Sequence, residues 1–336
     1  MNKKNIIFFI ITVLIILVVA VLWWQNKPIV ITKYTGPIEK IVIANQKEHS
    51  IFNYIALEKG YFTENGLDAE IREYESGAPA SADLLAGKVD VAMVGEFVAV
   101  SRIFISNQLR ILSQVSEQQY IRLVARRDSG INNLADLKGK KIGITKGTAS
   151  EIFASKFLIF NNLMFSDVDI VDLSPPQLID QITMGKIDAV VSFEPTPYVI
   201  EKNLGTNGIS WSAQGVEETY AILVSTDEFI KNHPQTIERY IRSLAQAEQY
   251  LKDHSAEAKN IFAKAVNYDD SYIAYIWPKI TFYLALEQQF ILVLENEARW
   301  AIVNKLTDKN VVPNYLDYIY MSALEKVKPE AITIVQ

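Results

Sequence analysis

From Ile6 to Trp24 the chain is apolar apart from Thr12, and Lys3 and Lys4 precede the run. As a helix this stretch spans roughly 28 Å at ~1.5 Å per residue, close to the ~30 Å hydrocarbon core of a bilayer. The lysines set its N-terminus in the cytoplasm, and Trp23 and Trp24 fall where interfacial aromatic residues are expected. The run ends in Val21-Leu22-Trp23-Trp24-Gln25, without a small-x-small cleavage site. An uncleaved anchor over residues 1–24 is therefore expected. A tether over 25–37, with Pro28, Gly36 and Pro37, should follow. No second run is long enough to span, so a single pass is expected, with the remaining chain in the periplasm or outside the cell.

Past the tether, short apolar runs alternate with helical stretches. Lys40–Ala44 reads as a strand, residues 51–59 as a helix stopped by Gly60, and Leu67–Ile71 as a strand. A helix opened by Gly77-Ala78-Pro79 ends at Gly87, and the strand Val89–Val94 follows. The order recurs about a hundred residues later: a strand over 141–145, a helix over 148–161, a strand over 168–171, a helix opened by Pro175-Pro176 and ended by Gly185, and a strand over 187–191. The segment Gly87–Glu96 aligns without a gap on Gly185–Glu194, keeping Gly, Lys, Asp and the terminal Glu. Strands alternating with helices, repeated once, predict two related α/β lobes enclosing a cleft. Crossings near 122–127 and 221–226 would give one lobe over 38–124 plus 221–336 and another over 125–220. Beyond the strand 221–225 the pattern predicts helices over about 234–252, 255–265, 270–290, 295–306 and 315–325.

Composition narrows the chemistry. The net charge is -6, and no Lys/Arg cluster forms a nucleic-acid stripe. With no Cys there is no thiolate nucleophile, disulfide or thiolate metal site. The three His, His49, His233 and His254, are not spaced as a metal pair on one helix face. No metal or cofactor is expected, and GxSxG, HExxH and GxGxxG are missing.

In open parallel sheets ligands sit at the carboxyl ends of strands. Those ends carry Asn45-Gln46-Lys47-Glu48 and Lys146-Gly147-Thr148. The second loop reads as a cradle for an anion, or as a surface loop with Thr148 as an N-cap. The repeat places Glu96 and Glu194 at strand ends, where they either bind an amine or ring N–H, or cap helices and brace the hinge. Two carboxylates in one pocket would disfavour a plain anion. Phe193 suits a pocket wall, whereas Tyr120, Trp211 and Tyr220 read as core and His49 as a solvated loop residue.

Four segments, in this order, carry a resemblance: Ala56–Asp68, Leu84–Asp90, Leu134–Gly143 and Asp188–Pro195. Over about residues 38–265 the chain resembles the ABC-transporter solute-binding proteins of the nitrate, aliphatic sulfonate, taurine and thiamine-precursor type. The resemblance implies a two-lobed type II periplasmic-binding fold that closes on a small organic molecule or oxyanion and delivers it to an ABC permease, as a monomer. By position it implies a pocket lined by Gln46, Gly77, Ala78, Gly95, Glu96, Lys146, Gly147, Thr148, Ser192, Phe193 and Glu194. The lipid-bearing Cys of some members is missing. A ligand-sensing module for a membrane signalling partner is the alternative. An enzyme resembling the fungal thiamine-pyrimidine synthases is disfavoured because those carry a Cys-rich segment.

Overall fold

The computed structural model describes residues 34–335. In chain order the repeat region forms β1 (Glu39–Gln46), α1 (Ile51–Glu58), β2 (Leu67–Tyr74), α2 (Gly77–Leu85), β3 (Val91–Gly95), α3 (Glu96–Ile103), β4 (Leu109–Gln118) and β5 (Arg122–Arg126). It continues with β6 (Lys141–Ile144), α4 (Ala149–Phe160), β7 (Asp169–Asp172), α5 (Pro175–Thr183), β8 (Ala189–Ser192), α6 (Thr196–Leu204), β9 (Gly208–Ser212) and β10 (Thr219–Thr226). Then follow α7 (Pro234–Asp253), α8 (Ser255–Val266), α9 (Asp270–Ile276), β11 (Ile280–Ala285) and α10 (Gln288–Val303). The expected membrane helix over 1–24 and most of the tether lie outside the described residues. Among the described residues no helix is long and apolar enough to cross a membrane.

Two sheets organise the chain: β11-β4-β10-β3-β1-β2, and β7-β6-β8-β5-β9. Each sheet with its helices is a lobe. In both, the β-α-β-α-β unit forms three parallel strands with its first strand in the middle; β10, β4 and β11 extend the first sheet beyond them and β5 and β9 the second, each pairing antiparallel with the strand before it. Strands β3 and β8 are buried on both faces and read as unbroken apolar runs, as parallel strands covered by helices do.

The residues shared by the repeat perform the same tasks twice. Asp90 Oδ2 accepts the Val42 N–H at 2.7 Å while the Asp90 N–H donates to the Val42 carbonyl at 2.8 Å. Asp188 does the same with Lys141, at 2.8 and 2.9 Å. Each Asp thus locks the third strand of its unit against the first, and with it the register that carries the strand ends to the cleft. Gly87 and Gly185, at φ +68° and +70°, end α2 and α5. The Lys88 and Lys186 N–H groups reach back to Asp83 and Gln181. That is the reversal in which a left-handed residue satisfies the last carbonyls of a helix, and glycine adopts it without a Cβ clash.

Between the sheets the chain crosses at 119–121 and returns at 213–218. The expected crossings at 122–127 and 221–226 lie inside β5 and β10, because both strands start as soon as the chain enters their sheet. Buried Gln214 ties the two crossings together. Its Oε1 accepts the Tyr120 and Ile121 N–H groups at 2.9 and 3.0 Å, and its Nε2 donates to the Gln118 and Glu217 carbonyls at 2.7 and 2.6 Å.

The C-terminal region departs from expectation at two places. The helix expected over 270–290 is instead α9, the strand β11 and the start of α10. Pro278 interrupts the helix, and Ile280-Thr281-Phe282-Tyr283 is β-branched and aromatic. β4 offers a free edge, and β11 pairs with it in antiparallel fashion, Ile280 opposite Gln118. The helix expected over 295–306 is the later part of α10. Over 315–325 there is a single tight turn at Tyr315–Tyr318 and a helix beginning only at Ser322.

Candidate functional site

The strand ends of both sheets face each other across a cavity of about 320 Å³, counting its mouth. From the first lobe, Gln46 and His49 come from the end of β1 and the turn after it, Gly77 from the start of α2, and Gly95 and Glu96 from the β3–α3 junction. Gln118 at the end of β4, Tyr120 in the first crossing, and Thr219 and Tyr220 at the start of β10 also line it. The second lobe contributes Thr148 and Ala149 at the start of α4, and Phe193 just after β8. Three helix N-termini, of α2, α3 and α4, therefore meet at one small space, each carrying unpaired N–H groups and a partial positive charge.

Of the residues expected to line a pocket, Gln46, Gly77, Gly95, Glu96, Thr148 and Phe193 are brought to this cavity. Ala78 sits behind it, its carbonyl accepting from Arg102 Nη2 and Ser81 Oγ, both at 2.8 Å. The Lys146 N–H is taken by Asp172 Oδ1 at 3.0 Å and the Gly147 N–H by Glu151 Oε2 at 2.8 Å. Those two amides are thereby occupied within the lobe. Thr148 Oγ1 accepts the Ser150 N–H at 3.2 Å, so Thr148 acts as the N-cap of α4. Ser192 is fully buried at the end of β8, next to Phe193.

Glu96 and Glu194, equivalent in sequence, are used differently. Glu96 is buried, and Oε2 accepts the Tyr220 N–H at 3.0 Å. Burial pushes its carboxyl up to about 7. Its neighbour is Glu297 of α10, also buried and also pushed up, first by burial and then by Glu96. Two buried carboxyls can hydrogen-bond each other only while one holds a proton. Glu194 turns away from the cavity lining. Its Oε1 accepts the Tyr275 hydroxyl at 2.8 Å and its Oε2 the Tyr198 N–H at 3.2 Å, with Arg122 at 3.8 Å, and burial lifts it to about 7.

Through Tyr275, Glu194 belongs to a clasp between lobes. Arg122 Nη1 donates to Glu201 Oε2 at 2.6 Å and to the Tyr275 hydroxyl at 3.2 Å, and Nη2 donates to Glu201 Oε1 and to Ser210 Oγ. Tyr198 of α6 meets Ser271 of α9 at 2.8 Å, and Lys202 pairs with Asp269 at 3.0 Å. On another face, Trp300 of α10 donates to Ser155 of α4 at 3.1 Å.

His49 corrects the sequence reading. It is 2% exposed rather than solvated, its Nε2 lies 2.9 Å from the Tyr120 hydroxyl, and burial drives its pKa down to about 3. The ring is therefore neutral at physiological pH, and among the described residues the cavity lining holds no Lys or Arg. Tyr120 and Tyr220, read as core, line the cavity as well, as do Gln118 and Thr219. Five buried polar atoms on the cleft-forming turns and strand ends have no protein partner: Gln46 Oε1, Glu48 Oε1, His49 Nδ1, Glu96 Oε1 and Ser192 Oγ. Glu48 is 5% exposed, and burial raises its carboxyl to about 7. Such atoms cost about 1–3 kcal/mol each unless something bonds them.

Comparison with known proteins agrees with this architecture. The family described as NMT1/THI5 like matches residues 47–258. YtlA of Bacillus subtilis strain 168, which carries the name of a binding protein, is 25% identical over 309 residues, 87% of this chain and 91% of its own. A 4-amino-5-hydroxymethyl-2-methylpyrimidine phosphate synthase of Saccharomyces cerevisiae is 25% identical over 215 residues, 59% of this chain and 62% of its own. The solved structure of the alkanesulfonate-binding protein SsuA from Xanthomonas axonopodis pv. citri, bound to MOPS, superposes with a TM-score of 0.74 at 17% identity, covering 85% of this chain and all of that one. The fold is that of the periplasmic binding proteins.

Proposed function

The chain belongs to the NMT1/THI5-like family, and from that premise we propose that it is an extracytoplasmic solute-binding protein. Its two lobes close on a small organic molecule or oxyanion and present it to an ABC permease. Residues 6–24 hold it to the cytoplasmic membrane as a monomer. One observation carries the reading: Gln46, His49 and Glu96 on the cavity lining, with Glu48 and Ser192 beside it, each present a buried polar atom without a protein partner. A bonded solute would meet that demand. The relative named as a binding protein, matched over nearly all of both chains, supports binding over turnover.

The lining bears on the solute's charge. Three helix N-termini favour an oxyanion, and a Glu96 carboxylate opposes it. With Glu96 near 7, the balance turns on pH. An oxyanion resting against Glu96 should bind more tightly at pH 6 than at pH 8. A ligand offering N–H groups or positive charge to it should do the reverse.

The test is native mass spectrometry of the full-length protein extracted from membranes, followed by thermal shift at both pH values. The panel holds sulfonates, nitrate, pyrimidines, flavins and amines. We expect a co-purified mass, and a stabiliser whose effect grows with concentration, about 2.7 kcal/mol at a hundredfold excess over Kd. Empty protein that no member of the panel stabilises would count against the reading.

A further inference from the structure

We propose that the outer half of the cleft is a second recognition subsite, built for the cationic end of an organic amine of aromatic dimensions, with Glu48 as its counter-charge. This rests on the solute-binding reading and names the chemistry of one end of the solute. A second cavity, about 700 Å³ counting its mouth, adjoins the inner one, and Phe193 is a wall of both. Within this proposal, a solute seated among the helix N-termini reaches past Phe193 into it. Its walls are flat and apolar: Tyr74 and Tyr268 from the first lobe, Pro175, Pro176 and Ile179 from the second. Its charged groups are Glu48, Glu73 and Glu75 against Lys47 alone.

Glu48 is the group aimed at a ligand. Its Oε1 has no partner although the residue is buried. Glu73, by contrast, is engaged by the Tyr54 hydroxyl at 3.0 Å. An oxyanion here would face three carboxyl groups. A purely apolar group would fill the walls and leave Glu48 Oε1 unbonded. A cation with N–H donors satisfies both the acid and the rings, since aromatic faces attract positive charge. The protein already shows this: the Lys47 ammonium stands 5.6 Å from the Tyr268 ring centroid. A ligand ammonium would take the place of that tethered one.

The experiment is titration calorimetry on the full-length protein in detergent micelles, with phenethylammonium chloride as probe. 2-Phenylethanol and 3-phenylpropanoate are the neutral and anionic matches. The cation is expected to bind saturably and at least tenfold more tightly than the alcohol, and the carboxylate more weakly than either. Glu48→Gln should erase the preference for the cation, and Glu48→Asp should keep part of it. No preference in the native protein, or a preference that survives Glu48→Gln, would overturn the proposal. If Glu48→Gln fails to fold, Lys47→Met decides. Removing the competing ammonium should tighten the amine severalfold, and unchanged affinity would refute the subsite. A co-purified solute still held by a Glu48→Gln protein lacking amine preference, where the native protein also lacks it, would sink the subsite alone and leave the solute-binding reading standing.

Discussion

Glu96→Gln is expected to make the protein more stable than the native chain at pH 8, and to leave it nearly unchanged at pH 5. Glutamine mimics the protonated acid. Its carbonyl can keep the Tyr220 N–H, and its amide can donate to Glu297 where two carboxyls now need a shared proton. The native carboxyl titrates near 7 when folded, against an ordinary value near 4.5. The folded state therefore holds this proton more tightly than the unfolded one. Its contribution is fully present below about 4.5 and is lost as pH rises through 7. That difference corresponds to at most about 3 kcal/mol. Glu48 and Glu194, also near 7, add the same sign. His49 has the opposite sign: held near 3, it contributes above its ordinary value and loses that contribution as pH falls below it. One such group does not outweigh three carboxyls between pH 5.5 and 8, so the native protein should lose stability over that interval. Urea midpoints of both proteins at the two pH values check this. A Glu96→Gln protein destabilised equally at pH 5 and pH 8 would show that Glu96 is not a strained buried acid.

Arg122→Ala is expected to cost about 2 kcal/mol, because it removes charge-assisted hydrogen bonds to half-buried Glu201 and the cation nearest buried Glu194. Arg122 holds Glu201 through both nitrogens of its fork and touches the hydroxyl of Tyr275, which reaches Glu194 from the other lobe. Lysine cannot reproduce a two-pronged donor, so Arg122→Lys should recover only part of the loss. Tyr275→Phe separates the two roles. It removes the hydroxyl between lobes while Arg122 keeps Glu201, and should cost about 1 kcal/mol. Denaturant unfolding of the three variants gives the comparison. Equal losses for Arg122→Ala and Tyr275→Phe would mean that the Glu201 pair adds nothing.

Much of this was legible in the residues. The gapless match of Gly87–Glu96 with Gly185–Glu194 located both strand-end junctions, and the repeated Asp and Gly do identical work in the two lobes. Local spacing carries such information because a strand lock and a helix stop are made within one supersecondary unit. What stayed hidden depends on partners far away in sequence. His49 sits beside Lys47 and Glu48 and looks solvated, but Tyr120 covers it. The use of Glu96 is decided by Glu297, two hundred positions on, and that of Glu194 by α9. β11 is too short an apolar run to distinguish strand from helix until β4 offers it an edge. Lys146 and Gly147 suggested an anion cradle, yet their amides are taken by Asp172 and Glu151, carboxylates that their spacing does not announce.

Two lobes joined at residues 119–121 and 213–218 are expected to close around a solute. The most direct test is small-angle neutron scattering of the full-length protein, with the detergent contrast-matched. The protein is stripped of its co-purified solute and then reloaded with it. The radius of gyration is expected to fall on loading and recover on stripping, as hinged lobes shut and reopen. Identical scattering from the stripped and the saturated protein would contradict it.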